Sequence, residues 1–253
     1  MIPLSTPLPA LSRRDLLQGV GATAALGLLP RLSRANTQTQ EPQMQPKAFV
    51  YTEVQISIPF NDAPWQQINE SLLVQPGFLN KTWLSGLGTG SLGGFYAFDS
   101  LENAQAFVTG YFPGEARNFG VAHNTRVFDA EAVAEASAPL NSPYFGGSTT
   151  ARPGAFVYTE LQVNVPFAEA PWRERNPALL QTPGLLAKTW LSGVNTNTLG
   201  GFDAFDTVES AKAFAIDAFP KVAAAMNCAF YTRVFDASVT EEASRQLHSP
   251  YFA

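Results

Sequence analysis

The feature that most constrains this chain is an internal repeat: residues 48–145 recur as residues 155–252 at a constant offset of 107, without a gap and with 54 identities over 98 positions. Ala48 to Glu53 returns as Ala155 to Glu160, Lys81 to Gly86 as Lys188 to Gly193, and Thr125 to Ala130 as Thr232 to Ala237. Solenoid repeats are only about 20–50 residues long, so a period of this length means duplication of a whole domain. Residues 146–154, built from Gly, Ser, Thr, Ala, Arg and Pro, read as the short linker between the copies.

Within the first copy the hydrophobic period changes several times. Phe49 to Ile58 alternates, with Val54, Ile56 and Ile58 on one face and Tyr51, Glu53, Gln55 and Ser57 on the other, which predicts a strand. Asn61 and Asp62 offer an N-cap ahead of Pro64, and Trp65, Ile68 and Leu72 then follow at helical spacing until Pro76-Gly77. Phe78 to Ser85 and Ser91 to Phe98 predict two further strands, the second with a kink at Gly93-Gly94; Leu101 to about Phe112 predicts a helix and Ala122 to Phe128 a fourth strand. The order β-α-β-β-α-β is the ferredoxin-like motif, which covers one face of an antiparallel sheet with both helices. The other face is too aromatic to leave in water. The duplication supplies a partner for it, so the expected α+β fold is two ferredoxin-like repeats packed sheet to sheet as an intrachain pseudo-dimeric α/β barrel, able to act as a monomer. Asn141 to Phe145 and His248 to Phe252 fit C-terminal arms reaching across that interface or local caps.

Composition narrows the chemistry. Of 253 residues 45% are hydrophobic and one is cysteine, Cys228, which rules out an intramolecular disulfide and a Cys-rich metal centre. His123 and His248 are the only histidines, and each is replaced in the other copy, which disfavours haem ligation. The net charge is −5, but Arg13, Arg14, Arg31 and Arg34 against Asp15 make residues 1–35 locally +3, leaving −8 for the remainder. Nucleic acid and anionic membrane surfaces are poor partners for such a body. Ser12-Arg13-Arg14-Asp15-Leu16-Leu17, an apolar stretch from Gly19 to Leu29 and Ser33-Arg34-Ala35 resemble a twin-arginine export signal, too short to span a bilayer. The expected organisation is therefore an export signal at 1–35, a polar flexible leader at 36–47, repeat 1 at 48–145, the linker at 146–154 and repeat 2 at 155–252. A periplasmic or secreted location follows, with no stable membrane insertion after cleavage.

Gln75 to Trp83, Gly93 to Phe98 and Arg126 to Asp129, with their counterparts Thr182 to Trp190, Gly200 to Phe205 and Arg233 to Asp236, resemble the YdhR-like monooxygenase family, small relatives of the dimeric α/β-barrel antibiotic-biosynthesis monooxygenases. The resemblance covers nearly all of both repeats. It implies a fold strongly and an activity weakly, because one fold hosts many functions.

Alternation assigns polar residues to the inter-sheet face: Tyr51, Glu53 and Gln55 on the first strand, Lys81 with Leu79 and Trp83 on the second, and Arg126 on the fourth, repeated as Tyr158, Glu160, Gln162, Lys188, Trp190 and Arg233. The plain structural reading is that Glu53 and Glu160 pair with Lys or Arg inside the barrel. The functional reading takes from the resemblance a cofactor-independent oxidation of small phenolic or aromatic compounds. In it Glu53 or Glu160 is the base, Lys81, Lys188, Arg126 and Arg233 stabilise reduced oxygen, and Trp83 and Trp190 form stacking walls. The alternative is an exported protein that binds small molecules without catalysis. No dinucleotide fingerprint is present, since Gly86-Leu87-Gly88-Thr89-Gly90 lies in a hairpin. The copies are expected to have drifted apart as sites, because Asn80, Tyr96, His123 and Asn124 become Ala187, Asp203, Phe230 and Tyr231.

Overall fold

A computed structural model describes residues 44–148 and 151–253. The expected export signal, most of the leader, and Thr149-Thr150 of the linker lie outside the described residues.

Each repeat runs strand, helix, two strands, broken helix, strand. The first contains β1 (Ala48–Val54), α1 (Trp65–Leu73), β2 (Phe78–Ser85), β3 (Leu92–Phe98), α2 (Leu101–Ala106), α3 (Phe112–Asn118) and β4 (His123–Asp129), followed by the short α4 (Ala134–Ser137). The second contains β5 (Ala155–Leu161), α5 (Trp172–Leu179), β6 (Leu185–Ser192), β7 (Leu199–Phe205), α6 (Val208–Lys212), α7 (Phe219–Ala225), β8 (Phe230–Asp236) and α8 (Glu241–Gln246). The sheets are antiparallel with orders β2-β3-β1-β4 and β6-β7-β5-β8, the ferredoxin-like arrangement expected from the sequence.

Local chemistry explains the boundaries. The Ser100 and Thr207 hydroxyls cap α2 and α6 by accepting from the Asn103 and Ser210 amides. Before α1 the sequence offered Asn61 and Asp62 as caps. They instead sit in a 3₁₀ turn at Phe60–Asp62, and Pro64 occupies the cap position without a side-chain bond, its ring presetting the backbone for the first turn. β1 stops at Val54 rather than Ile58, and Ile56 and Ile58 continue as half-buried packing against the helix layer. Gly77 takes a left-handed φ of 68° in the turn into β2, which explains the Pro-Gly stop.

The two sheets pack face to face around stacked aromatic pairs. Tyr51 and Tyr158 lie parallel with ring centroids 4.0 Å apart, Phe95 and Phe202 with centroids 4.3 Å apart, and Tyr144 and Tyr251 meet edge-on at 5.8 Å. The sheets also join at both edges. Gly86 bridges to Phe235 and Phe128 to Gly193, with Leu87 N–H donating to Val234 O at 2.9 Å and Val194 N–H to Val127 O at 3.0 Å. Removing one such buried ring costs about 3–5 kcal/mol, so this filled interior is scaffold.

The segments after β4 and β8 cross to the opposite repeat. Ser137 Oγ accepts from the Trp190 amide and Ser244 Oγ from the Trp83 amide, both at 2.9 Å, and the buried pairs Thr82–Ser249 and Ser142–Thr189 are both 2.7 Å apart. Asn176 Nδ2 donates to Ala136 O at 2.8 Å and Asn69 Nδ2 to Ala243 O at 3.1 Å. These are the arms the repeated Ser-Pro-Tyr-Phe segments suggested. These groups bond across the repeat boundary, so each half completes hydrogen bonds of the other.

Candidate functional site

The second strand of each sheet carries an irregularity that decides where the site lies. Phe78 pairs with Phe98 and Asn80 with Ala97, leaving Leu79 as an extra residue; Leu186 does the same in β6. A bulge breaks strict alternation. Leu79 and Leu84 consequently both face the other sheet, whereas Lys81 and Trp83 face the helices. This corrects the placement of Lys81, Trp83, Lys188 and Trp190 on the inter-sheet face, because the extra residue resets the alternation ahead of them.

In the helix layer Lys81 Nζ rests 2.9 Å from the Trp83 ring centroid and 4.8 Å from that of Tyr96. Lys188 Nζ instead donates to Asp203 Oδ1 at 2.8 Å. The indole N–H groups of Trp83 and Trp190 donate to Asn69 and Asn176 at 2.8 and 3.0 Å. The four residues are therefore parts of packed outer layers. Gly94 and Gly201 make room for them, since a Cβ at either position would collide with the lysine.

The remaining candidates converge at the ends of the inter-sheet layer in two related clusters. On β1 the spacing of two puts Tyr51 and Glu53 on one face, and Tyr51 Oη donates to Glu53 Oε2 at 2.8 Å. Tyr231 Oη, from β8, donates to the same oxygen at 2.8 Å, and Arg233 Nε lies 3.5 Å from it. On β5, Tyr158 Oη donates to Glu160 Oε2 at 2.6 Å, Gln162 Nε2 donates to Oε1, and Arg126 Nε of β4 lies 3.3 Å from Oε2. Each carboxylate thus meets an arginine from the opposite repeat. Gln55 and Gln162 are exposed at the strand ends, and Tyr51 and Tyr158 are buried in the central stack.

The electrostatics of Glu53 are those of a tightly held anion. Burial raises its carboxyl, but hydrogen bonds from Tyr51, Tyr231 and Ser91 and the charge of Arg233 outweigh that and hold it below the usual carboxylate range. A carboxylate held this way is a weak base. Burial and the neighbouring Glu53 and Glu160 push the Tyr51 and Tyr158 phenols well up, so both act as neutral donors.

The clusters differ in access. A cleft of ≈ 600 Å³ opens at the second, with Arg126 and Val127 on one side, Glu160 and Gln162 on the other and the hairpin residues Val194 and Thr196 at its border. Glu160 is 2% exposed and Arg126 46%, a buried carboxylate beside a guanidinium that reaches water. A second depression of ≈ 440 Å³ near Phe60, Gly86 and Asp236 holds none of the candidate residues. Sequence reasoning missed the Val194–Thr198 hairpin as a wall and Tyr231 as a partner of Glu53. The Asn124/Tyr231 difference was the available signal for the latter. Among the described residues no group of three or more His, Cys, Asp or Glu could hold a metal ion. His123 packs edge-on to Phe112 at 5.5 Å and His248 is exposed.

Solved structures similar to this chain include an anthrone oxidase-like protein, for which 13% identity covers 76% of this chain and 91% of that one with a TM-score of 0.47. A putative monooxygenase from Lactobacillus acidophilus NCFM gives 11%, 75%, 93% and 0.45, and a mutant chlorite dismutase from Candidatus Nitrospira defluvii 10%, 79%, 97% and 0.43. No curated protein matches the chain. Over residues 52–138 the chain matches the family described as "Putative mono-oxygenase ydhR".

Proposed function

We propose that this protein is a monooxygenase of small phenolic or aromatic compounds that works without a bound cofactor at the Glu160–Arg126 cleft. The observation that carries the reading is the placement of a buried carboxylate, already hydrogen-bonded by Tyr158 and Gln162, beside a guanidinium 3.3 Å away at the wall of a ligand-sized cleft. Glu160 takes the hydroxyl proton of the bound phenol. The resulting anion passes an electron to dioxygen, Arg126 stabilises the reduced oxygen, and recombination at a ring carbon gives a hydroperoxide. Loss of water leaves a quinone. The balance is one phenol and one dioxygen to one quinone and one water, with all four electrons drawn from the substrate, so no external reductant is needed. Glu53 is the weaker candidate base because Tyr231 already donates to its Oε2 and it does not line the cleft. The export signal expected at residues 1–35 would place this chemistry outside the cytoplasm.

Oxygen uptake over a panel of phenols and hydroquinones tests the reading. Wild-type protein should consume one oxygen per quinone formed, and Glu160→Gln should lower kcat by at least about 100-fold. Uptake unaffected by Glu160→Gln overturns the assignment. Saturable binding with no uptake for any compound leaves the non-catalytic binding protein as the better account.

A further inference from the structure

In the helix layer of repeat 1, Lys81 ends among ring faces rather than at an anion. Its Nζ stands 2.9 Å from the Trp83 ring centroid and 4.8 Å from that of Tyr96, and no carboxylate lies within 4.0 Å of it among the described residues. Both rings are held in place: the Trp83 indole donates to Asn69 Oδ1 at 2.8 Å, and Tyr96 Oη accepts from Thr52 Oγ1 at 3.4 Å. A half-buried acid pair lies beside them. Tyr111, at the end of the π-helical turn Phe107–Tyr111, donates to Glu115 Oε1, and Glu115 is the carboxylate whose charge reaches Lys81. Repeat 2 lacks each of these parts. Asp203 stands in place of Tyr96 and binds the lysine directly at 2.8 Å, while Ala218 and Val222 stand in place of Tyr111 and Glu115.

We infer that Lys81 is a nucleophilic amine that condenses with a small aliphatic aldehyde, with the Tyr111–Glu115 pair handling the protons. Enclosure among rings without a contact anion favours the uncharged amine, and burial accordingly lowers Lys81 from the usual lysine range. An uncharged lysine amine attacks carbonyl carbon. The nitrogen lone pair forms the C–N bond, the carbonyl π pair moves to oxygen, and the oxygen takes one amine proton to give a carbinolamine. Glu115, whose carboxyl burial raises toward its protonated form, supplies the proton with which the hydroxyl leaves as water and recovers one from nitrogen. Both amine protons end on oxygen, the products are one neutral imine and one water, and nothing is oxidised or reduced. An imine without charge or N–H also suits ring faces better than an ammonium does. The site lies on the helix side of the sheet and shares no residue with the Glu160 cleft, so it stands or falls independently of the oxygenase reading.

The test is reductive trapping in the full chain. Acetaldehyde and the neutral reductant dimethylamine borane are added at about pH 6.5, where exposed lysines are protonated, and ethyl groups are located by peptide mass mapping. Lys81 should be ethylated at least about ten-fold faster than Lys188 and than the exposed Lys47, Lys212 and Lys221. Tyr96→Asp gives Lys81 the contact partner that Lys188 has, and should slow its labelling at least about ten-fold. Glu115→Gln removes the proton carrier and should slow labelling at least about five-fold. Ethylation of Lys81 no faster than that of the exposed lysines, or a rate unchanged in either variant, overturns the inference. Should Tyr96→Asp not fold, Glu115→Gln and the ratio of Lys81 to Lys188 in the wild type decide the matter.

Discussion

Lys81 and Lys188 occupy the same place in the two repeats, pointing from the second strand into the helix layer, and the repeats stabilise them differently. Lys188 forms an ion pair with Asp203, a fully buried residue of the neighbouring strand. At the matching position repeat 1 has Tyr96, and Lys81 lies on the faces of Tyr96 and Trp83 with no ion pair within 4.0 Å among the described residues. Repeat 1 has a carboxylate too, but on α3: Glu115, whose Oε1 accepts from Tyr111. Repeat 2 has Val222 and Ala218 at those two positions. Duplication therefore kept one acid near each buried lysine while moving it between the strand and the helix. In one half the pair is in direct contact. In the other, burial drives the Lys81 ammonium well below the usual lysine range, opposed only by the more distant Glu115, whose own carboxyl is raised by burial. A buried cation can thus be matched by a contact partner or relieved by giving up its proton, and the two halves of this chain use one route each.

The largest expected effect comes from breaking the contact pair. Asp203→Ala leaves Lys188 buried without its partner and should cost about 3–5 kcal/mol of stability, read from urea unfolding. The double change Lys188→Met with Asp203→Leu should recover most of that loss. Failure of the double variant to recover would mean that Asp203 does more than offset the charge.

A pH series sharpens the contrast. Folded Lys81 gives up its proton below the usual lysine value of 10.5, whereas the unfolded chain keeps it, so the unfolded state binds more protons in the window beneath 10.5. Stability should therefore rise with pH across that window and be lost as pH falls toward and through the lowered value, with a slope of at most about 1.4 kcal/mol per pH unit for one proton. Burial pushes Tyr96 and Tyr111 upward, so both stay neutral in the folded state there. Unfolding free energies of wild type and Lys81→Met between about pH 8 and 9.5 give the slope by difference; parallel lines would refute it.

The last effect is the sign of the substitution itself at neutral pH. Lys81→Met removes the cost of burying a lysine that lacks a contact anion and puts an apolar chain of similar length in its place, so it should raise stability rather than lower it. A loss comparable to that of Asp203→Ala, measured in the same urea series, would show that the two halves are energetically alike after all.

How far the sequence could be read depended on the range of the interaction. The strand–helix order followed from the period of apolar residues, and β2 matched its expected limits of Phe78 and Ser85. Glu53 and Tyr51 reached the inter-sheet layer because β1 alternates without interruption, and Arg126 and Arg233 met the opposite carboxylates for the same reason. Lys81, Lys188, Trp83 and Trp190 went to the other face because one extra residue in β2 and β6 resets the alternation. Nothing in Leu79 or Leu186 marks a bulge, since it exists only in the register with the neighbouring strand.

By itself, the sequence determined the duplication, the ferredoxin-like order and the need for two sheets to cover each other, because these follow from identity between copies and from local periodicity. Only the tertiary structure decided that the interior is filled by aromatic stacks, that the arms cross to the opposite repeat and that the two carboxylate clusters are unequal. Part of the inequality comes from position 231, where a tyrosine reaches Glu53 on the opposite sheet while its counterpart Asn124 is short and exposed. Whether a side chain spans a gap depends on the distance between two sheets, and that distance is set by all the residues packed between them.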